Sequence, residues 1–511
     1  MSAAAVMEGP TAGAPHRTLI TLSVILASIM QALDNTIANV ALPRIQGSLS
    51  ATQDQMTWVL TSYIIAAAIM TPLSGWLAGQ IGRKRVFLFS VVGFTIASAL
   101  CGLAQTLPAI VISRLLQGLC GAALIPMSQA VLLDINPPAR HARAMAIWAM
   151  AVTVGPILGP ALGGWLTEHY SWRWVFYINV PFGILSFLGI LSFMPETPLR
   201  RSRFDFFGFA ALSVAIGAFQ LMLDRGQIKD WFSSTEICVE AVVAGLALYL
   251  FVVHMLTTDR PSFVSPVLFK DRNFLTGNLF IFVVGVVLFA TLALLPPLLQ
   301  DLMNYPVVLT GLVTAPRGFG TLAAMFIVGR VMGRIDTRLI IATGFCLTAF
   351  SLWQMTRFYL QMDSAPVVWS GLTQGLGTGF VYVPLAAITF ATLPKQYRNE
   401  GTALFSLVRN VGSSVGISVV ESLLTRNTQA MHSRLAEQVT PFSDILHSQA
   451  AISTTEGLAA LNQMVSGQAA MIAYNNDFKL MMVLTLCAVP LVLLLRRAAA
   501  ANKEDAPMVV E

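Results

Sequence analysis

Long apolar stretches, each closed by a short polar segment, recur along the whole chain. A hydrocarbon core is crossed by about 20 residues of helix. Six stretches of that length fall at 18–42, 55–78, 86–105, 108–133, 142–167 and 174–194, and two at 205–224 and 236–256. Six more fall at 273–300, 308–332, 337–357, 365–391, 399–424 and 477–497. The pattern predicts an all-α polytopic membrane protein with fourteen spans. An even number puts both termini on one side.

Composition agrees with that reading and excludes others. Of 511 residues, 56% are hydrophobic and 11% charged, against about 25% charged in a soluble domain. A soluble enzyme, a nucleic-acid-binding module and a disordered tail are thereby excluded. The net charge of +6 follows topology. Twenty of the 31 Lys and Arg lie in alternate connecting segments and the two tails, and seven in the opposite set. Basic residues accumulate on the cytoplasmic side, so both termini are expected there. The first 17 residues carry no basic n-region and the following run is too long for a signal sequence, so it is expected to be retained.

Shifted by 257 residues, the chain overlays on itself. Gln117-Gly118-Leu119 meets Gln374-Gly375-Leu376, and Gly155 and Gly159 meet Gly412 and Gly416. At a shift of 254, Gly75, Gly79 and Ile81 meet Gly329, Gly333 and Ile335. Such repeats mark secondary transporters with a site near midplane. The expected organisation is a cytoplasmic tail 1–17, a six-helix bundle 18–200, two inserted helices 201–260, and a second bundle 261–497. The last contains a long periplasmic loop, 425–476, and is followed by a cytoplasmic tail, 498–511.

Four motifs carry a family resemblance. Gly75-Trp-Leu-Ala-Gly-Gln-Ile-Gly82-Arg83-Lys84 resembles the loop signature of the major facilitator superfamily. Arg114-Leu-Leu-Gln117-Gly118 resembles its fourth-helix motif, and Gly155-Pro156-Ile-Leu-Gly159-Pro-Ala-Leu-Gly163 its antiporter motif. Leu33-Asp34-Asn-Thr-Ile-Ala-Asn-Val-Ala-Leu-Pro43 is similar to the first-helix signature of fourteen-span drug:proton antiporters. Trp172-Arg-Trp-Val-Phe-Tyr-Ile-Asn-Val-Pro181 and 223–232 extend the likeness to EmrB-type export subunits. The resemblance implies proton-driven export of hydrophobic drugs across a bacterial inner membrane. It also implies a periplasmic membrane-fusion adaptor of the EmrA type and a TolC-like outer-membrane channel as partners. The loop signature usually has Asp where this chain has Gly79, so that carboxylate's part in locking the loop does not carry over.

The residues themselves point the same way. An ionised Asp at mid-bilayer costs about 2.5–3.5 kcal/mol. Asp34 must therefore face water, be protonated or pair with a cation, for which Arg114 is the candidate; a permanent structural pair is the alternative to proton coupling. Arg114, Gln117, Gly118 and Gly121 share one helix face, suited either to a pathway or to packing. Gly155, Gly159 and Gly163 give a close-approach surface, which Pro156 and Pro160 should kink. Arg317, Arg409, Asn410 and Glu421 are further embedded polar candidates, and similar depth suggests that Arg317 and Glu421 pair.

Other chemistry is excluded. Gly412-Ser-Ser-Val-Gly416 has hydrolase-like spacing but lies in a helical run, not at a strand–turn–helix elbow. None of the six lysines precedes Ser or Thr, so no Walker A loop exists. Neither Cys nor His shows metal spacing, and no cofactor is expected beyond the proton gradient. The function expected is alternating-access export coupled to protons. A symporter or uniporter of a small organic solute is the alternative within transport, and a non-transporting sensor outside it. The loop 425–476 has apolar residues at partly helical spacing, as a hairpin cap or an adaptor-docking surface would.

Overall fold

The structure, a computed structural model, describes residues 16–137, 140–197, 199, 203–258, 262–332, 334–394, 397–439 and 455–495. Apart from one bridge between Met332 and Ile335, the described regular structure is helical. The first bundle runs α1 (Arg17–Leu49), α2 (Gln53–Ile81), α3 (Arg83–Leu103), α4 (Leu107–Gly121), α5 (Leu124–Ile135), α6 (His141–His169), α7 (Trp174–Tyr177) and α8 (Asn179–Phe193). Then come α9 (Phe206–Gly226), α10 (Thr235–Thr257) and the short α11 (Val267–Lys270). The remainder is α12 (Arg272–Pro297), α13 (Val307–Thr314), α14 (Pro316–Val331), α15 (Thr337–Met355), α16 (Ala365–Ala391), α17 (Arg398–Glu437) and α18 (Thr455–Leu491).

Thirteen helices among the described residues are long and apolar enough to cross a membrane. The stretch expected at 142–167 lies in α6, helical over 29 residues, whose described apolar portion is Arg143–Gly155. Boundaries follow local chemistry. Thr52 and Gln55 form a capping box that starts α2, satisfying otherwise orphaned N–H groups. Asp271 accepts from the Phe274 N–H at the start of α12. Gly82, at φ +88°, separates α2 from α3, a conformation that glycine adopts without a Cβ penalty.

Packing joins α1 to α6 and α8, α12 to α17, and α14 and α15 to α16. The first bundle meets the last helices through α2 and α5 against α17, and α6 against α14 and α16. The inserted helices lie side by side, with α9 against both α2 and α17 at that seam. Large apolar side chains such as Val242, Tyr249 and Leu256 on α10 are exposed. A lipid-facing surface explains them, because soluble monomers rarely expose such patches.

One expectation is corrected. The segment 425–476 is not a loop where it is described: α17 continues to Glu437 and α18 already begins at Thr455. With 40 residues, α17 is about 60 Å long at 1.5 Å per residue, twice the hydrocarbon thickness of about 30 Å. His432 Nε2 and Asn462 Oδ1, 3.0 Å apart, tie the two extensions together. Apolar positions at helical spacing let these segments continue as helices beyond the bilayer. Residues 440–454 lie outside the described set.

Candidate functional site

Asp34 on α1 is completely buried, and so is Arg114 on α4 at 1% exposure. Arg114 Nη1 donates to Asp34 Oδ2 at 2.7 Å. The other carboxylate oxygen accepts from Gln117 Nε2 at 2.9 Å and from Asn179 Nδ2 on α8 at 2.8 Å. One acid thus gathers donors from two further helices. The guanidinium has further acceptors: Nε donates to the Val59 carbonyl at 3.2 Å and Nη1 to Gln117 Oε1 at 2.9 Å. Its carbon sits 4.3 Å from the centre of the Tyr63 ring, where a desolvated cation is attracted to the π face. A buried pair holds only when its remaining polar valences are met; here both carboxylate oxygens and the Nε and Nη1 of the guanidinium have partners.

Asn179 lies within the 172–181 motif, where nothing in the local pattern marks it as a partner of Asp34. It stands at the start of α8 and also donates to Ser98 Oγ at 3.0 Å. Its signal was a polar residue inside the apolar 174–194 run.

The small residues place these side chains. A Cβ on Gly155 would come within 2.7 Å of the Ala32 backbone, and one on Gly159 within 2.1 Å of Thr36 Oγ1. Gly163 packs on Ile37 in the same way. The stripe therefore seats α6 directly on α1. Pro156 and Pro160 lie in α6, but their side chains are outside the described residues. Gly118 performs a parallel task, since a Cβ there would meet the Tyr63 carbonyl at 2.3 Å.

At the end of α2, Arg83 Nη1 bonds Asp134 Oδ2, and Arg398 Nη1 from α17 reaches the other oxygen at 3.2 Å. A Cβ on Gly75 would lie 3.2 Å from backbone atoms of Asn399 and Glu400. Asp134, at the end of α5, thus provides Arg83 with a carboxylate where the loop itself has Gly79. It clasps the first bundle to α17. Lys84 stands beside Arg85 and Glu196 at this surface.

Comparison with known proteins fits this geometry. The family model described as Major Facilitator Superfamily matches residues 24–417. The chain belongs to that superfamily. Fatty acid resistance protein FarB of Neisseria gonorrhoeae is 39% identical over 481 residues, covering 93% of this chain and 95% of its own. Multidrug export protein EmrB of Escherichia coli (strain K12) is 39% identical over 463 residues, covering 90% of each. Among solved structures, the human organic anion transporter MFSD10 superposes with a TM-score of 0.60 at 15% identity, covering 92% of this chain and all of the other. The proton:xylose symporter XylE gives 0.60 at 14%, covering 93% and 96%. At such identities these two show the fold alone. The superfamily is one of transporters, not enzymes, and this member is a multi-pass membrane protein.

In this major facilitator chain the remaining candidates scatter. Arg409 Nη1 donates to the Tyr382 hydroxyl at 2.9 Å and its Nη2 to Asn410 Oδ1 at 3.3 Å. Tyr382 stacks on Trp148 of α6, so this arginine joins the seam between bundles. Glu421 is exposed and has Asp224 of α9 as its charged neighbour. The expected Arg317–Glu421 pair is absent. Arg317 Nη2 instead donates to the Leu288 carbonyl at 3.3 Å, because α14 packs on α16 whereas the Glu421 end of α17 faces α9. Equal depth did not mean equal direction. Gly412 and Gly416 do form a packing face, meeting the carbonyls of Phe282 and Val286 on α12.

Proposed function

We propose that this protein is a proton-coupled exporter of hydrophobic drugs or fatty acids, in which Asp34 and Arg114 couple proton movement to alternating access. The observation that carries the reading is the buried Asp34 carboxylate held by Arg114, Gln117 and Asn179 from α4 and α8. Two positive partners compete for that carboxylate, a proton and the guanidinium. Protonation releases Arg114 to the Val59 carbonyl and the Tyr63 face, and relaxes the tie between α1, α4 and α8. Deprotonation restores the tie. Because the halves meet through helices adjoining this cluster, the two arrangements bias opposite accesses.

The relatives named for multidrug export and fatty-acid resistance support the substrate class. Gln117, Gly118, Arg317, Arg409, Asn410 and Glu421 would flank the pathway between the halves. The charge distribution supports cytoplasmic termini in a bacterial inner membrane. On the opposite side, the paired extensions of α17 and α18 would dock a periplasmic adaptor, which an outer-membrane channel would complete.

The test is flux in proteoliposomes under an imposed pH gradient. Gradient-dependent accumulation of a hydrophobic drug supports the reading. Transport that proceeds equally with the gradient collapsed would replace it with a uniporter.

A further inference from the structure

The two halves place their buried cation differently. Gln117 donates to Asp34, and 257 positions later Gln374 Nε2 donates to Thr291 Oγ1 at 3.0 Å. Thr291 is therefore the counterpart of Asp34. Gly118 packs on the carbonyl of Tyr63, and Gly375 on the carbonyl of Arg317, where an added Cβ would come within 1.9 Å. Arg317 is therefore the counterpart of Tyr63, and Gly371 that of Arg114. The second half keeps the scaffold and an arginine, but at the counterpart positions it has Thr291 in place of the acid and Gly371 in place of the side chain on α16; its buried carboxylate, Asp477 on α18, forms no ion pair with Arg317.

Arg317 is 8% exposed and has no ion-pair partner among the described residues. Its guanidinium makes one 3.3 Å bond to the Leu288 carbonyl, and Nη1 is buried without a partner. An embedded arginine costs about 2.5–3.5 kcal/mol on insertion scales, and this one lacks the carboxylate that offsets the cost for Arg114. We infer that the missing negative charge is brought by the transported compound, and that Arg317 is the recognition point for the carboxylate of an amphipathic organic anion.

The surroundings suit such a ligand. With glycine at 371 no side chain occupies the place that Arg114 fills in the first half; an added Cβ there would make ordinary contact, 3.7 Å, with the Cβ of Arg317. Pro316 directly precedes the arginine at the start of α14 and, lacking an N–H, interrupts the helical hydrogen bonding at that point. Leu288, whose carbonyl holds the guanidinium, also lines a cavity with the apolar side chains of Val284, Val287 and Phe345, which would receive a hydrophobic body. A planar guanidinium with unused donors matches a carboxylate through paired hydrogen bonds. A desolvated cation with no counter-charge disfavours cationic compounds.

The inference rests on the exporter reading and deepens it. It is tested with full-length protein in phosphatidylcholine vesicles, using 2-naphthoate and its neutral counterpart 2-naphthamide under the same pH gradient. Protein-free vesicles set the background. Arg317→Gln should lower the ratio of kcat/KM for naphthoate over naphthamide at least tenfold, chiefly through a higher KM for the acid. Arg317→Lys, which keeps charge but not the fork, should lower it about threefold, and it decides the matter alone if the glutamine variant does not purify. An unchanged ratio overturns the inference, as does a wild type that carries the amide but not the acid. Inhibition of the wild type, but not of Arg317→Gln, by added phosphatidylglycerol would assign the site to a lipid headgroup and also overturn it. If wild-type protein carries neither probe, the exporter reading falls along with it.

Discussion

Gln117 and Gln374 occupy the same place in the two halves, yet one holds a carboxylate, Asp34, and the other a hydroxyl, Thr291. Among the described residues the buried ion-paired centre lies in the first half, while the repeated backbone frame around it persists in the second. In the reading proposed above, this asymmetry separates a site for protons from a site for substrate within one pseudosymmetric scaffold.

Replacing Asp34 by Asn keeps the shape of the side chain but removes its charge and its proton. Accumulation driven by a pH gradient should fall at least tenfold, while yield from the membrane remains measurable. Drug efflux at the wild-type rate in such vesicles would remove Asp34 from coupling.

Asn179→Ala deletes one of two donors to Asp34 Oδ1 and leaves Ser98 without that partner. A hydrogen bond to a charged group contributes about 1.5–3 kcal/mol. The purified variant should melt at a lower temperature by a corresponding amount and transport more slowly. Ser98→Ala removes the outer bond and the one that Ser98 Oγ donates to the Phe176 carbonyl but none to Asp34, so it should slow transport less than Asn179→Ala.

The seat of α6 on α1 is tight at Gly159, where a methyl group would collide with Thr36 Oγ1. Overpacking typically costs about 1–3 kcal/mol, so Gly159→Ala should reduce stability and transport. Adding Thr36→Ala should recover much of the loss, and a double mutant no better than the single would indicate that another contact limits this interface.

Ala146 on α6 and Gly329 on α14 face each other across the seam, and a Cβ built at Gly329 lies 3.8 Å from that of Ala146. That is close to the mean separation of about 3.8 Å in disulfides. The pair Ala146→Cys and Gly329→Cys should crosslink under mild oxidation and stop transport, with activity restored by reductant. Full activity in quantitatively crosslinked protein would mean that this seam need not open.

The extensions of α17 and α18 leave the bilayer as a tied pair. Exchanging 430–470 for a short Gly/Ser linker should weaken co-purification of a periplasmic adaptor while preserving flux in vesicles. Adaptor binding that survives the exchange intact would leave the extensions without that role.

Spans, the preference of basic residues for one side, and the internal repeat were legible in the amino-acid sequence alone, because hydrocarbon imposes length and polarity constraints that show residue by residue. The Asp34–Arg114 pair was legible for the same reason: embedded charges are rare, so two on neighbouring helices readily suggest one another. Direction was not legible. Span counting gives the depth of Arg317 and Glu421 but not the way each side chain points, and the packing of α14 on α16 and of α17 on α9 turned them apart. Asn179 and Asp134 reached their partners only through contacts between helices distant in the chain, which no local pattern encodes. The helical extensions of α17 and α18 belong between these cases, since the spacing was present but only the pairing of His432 with Asn462 joins them. Composition and periodicity thus determined which segments enter the membrane; side-chain packing between those segments decided that Asp34 and Arg114 meet and that Arg317, among the described residues, stays without an acid.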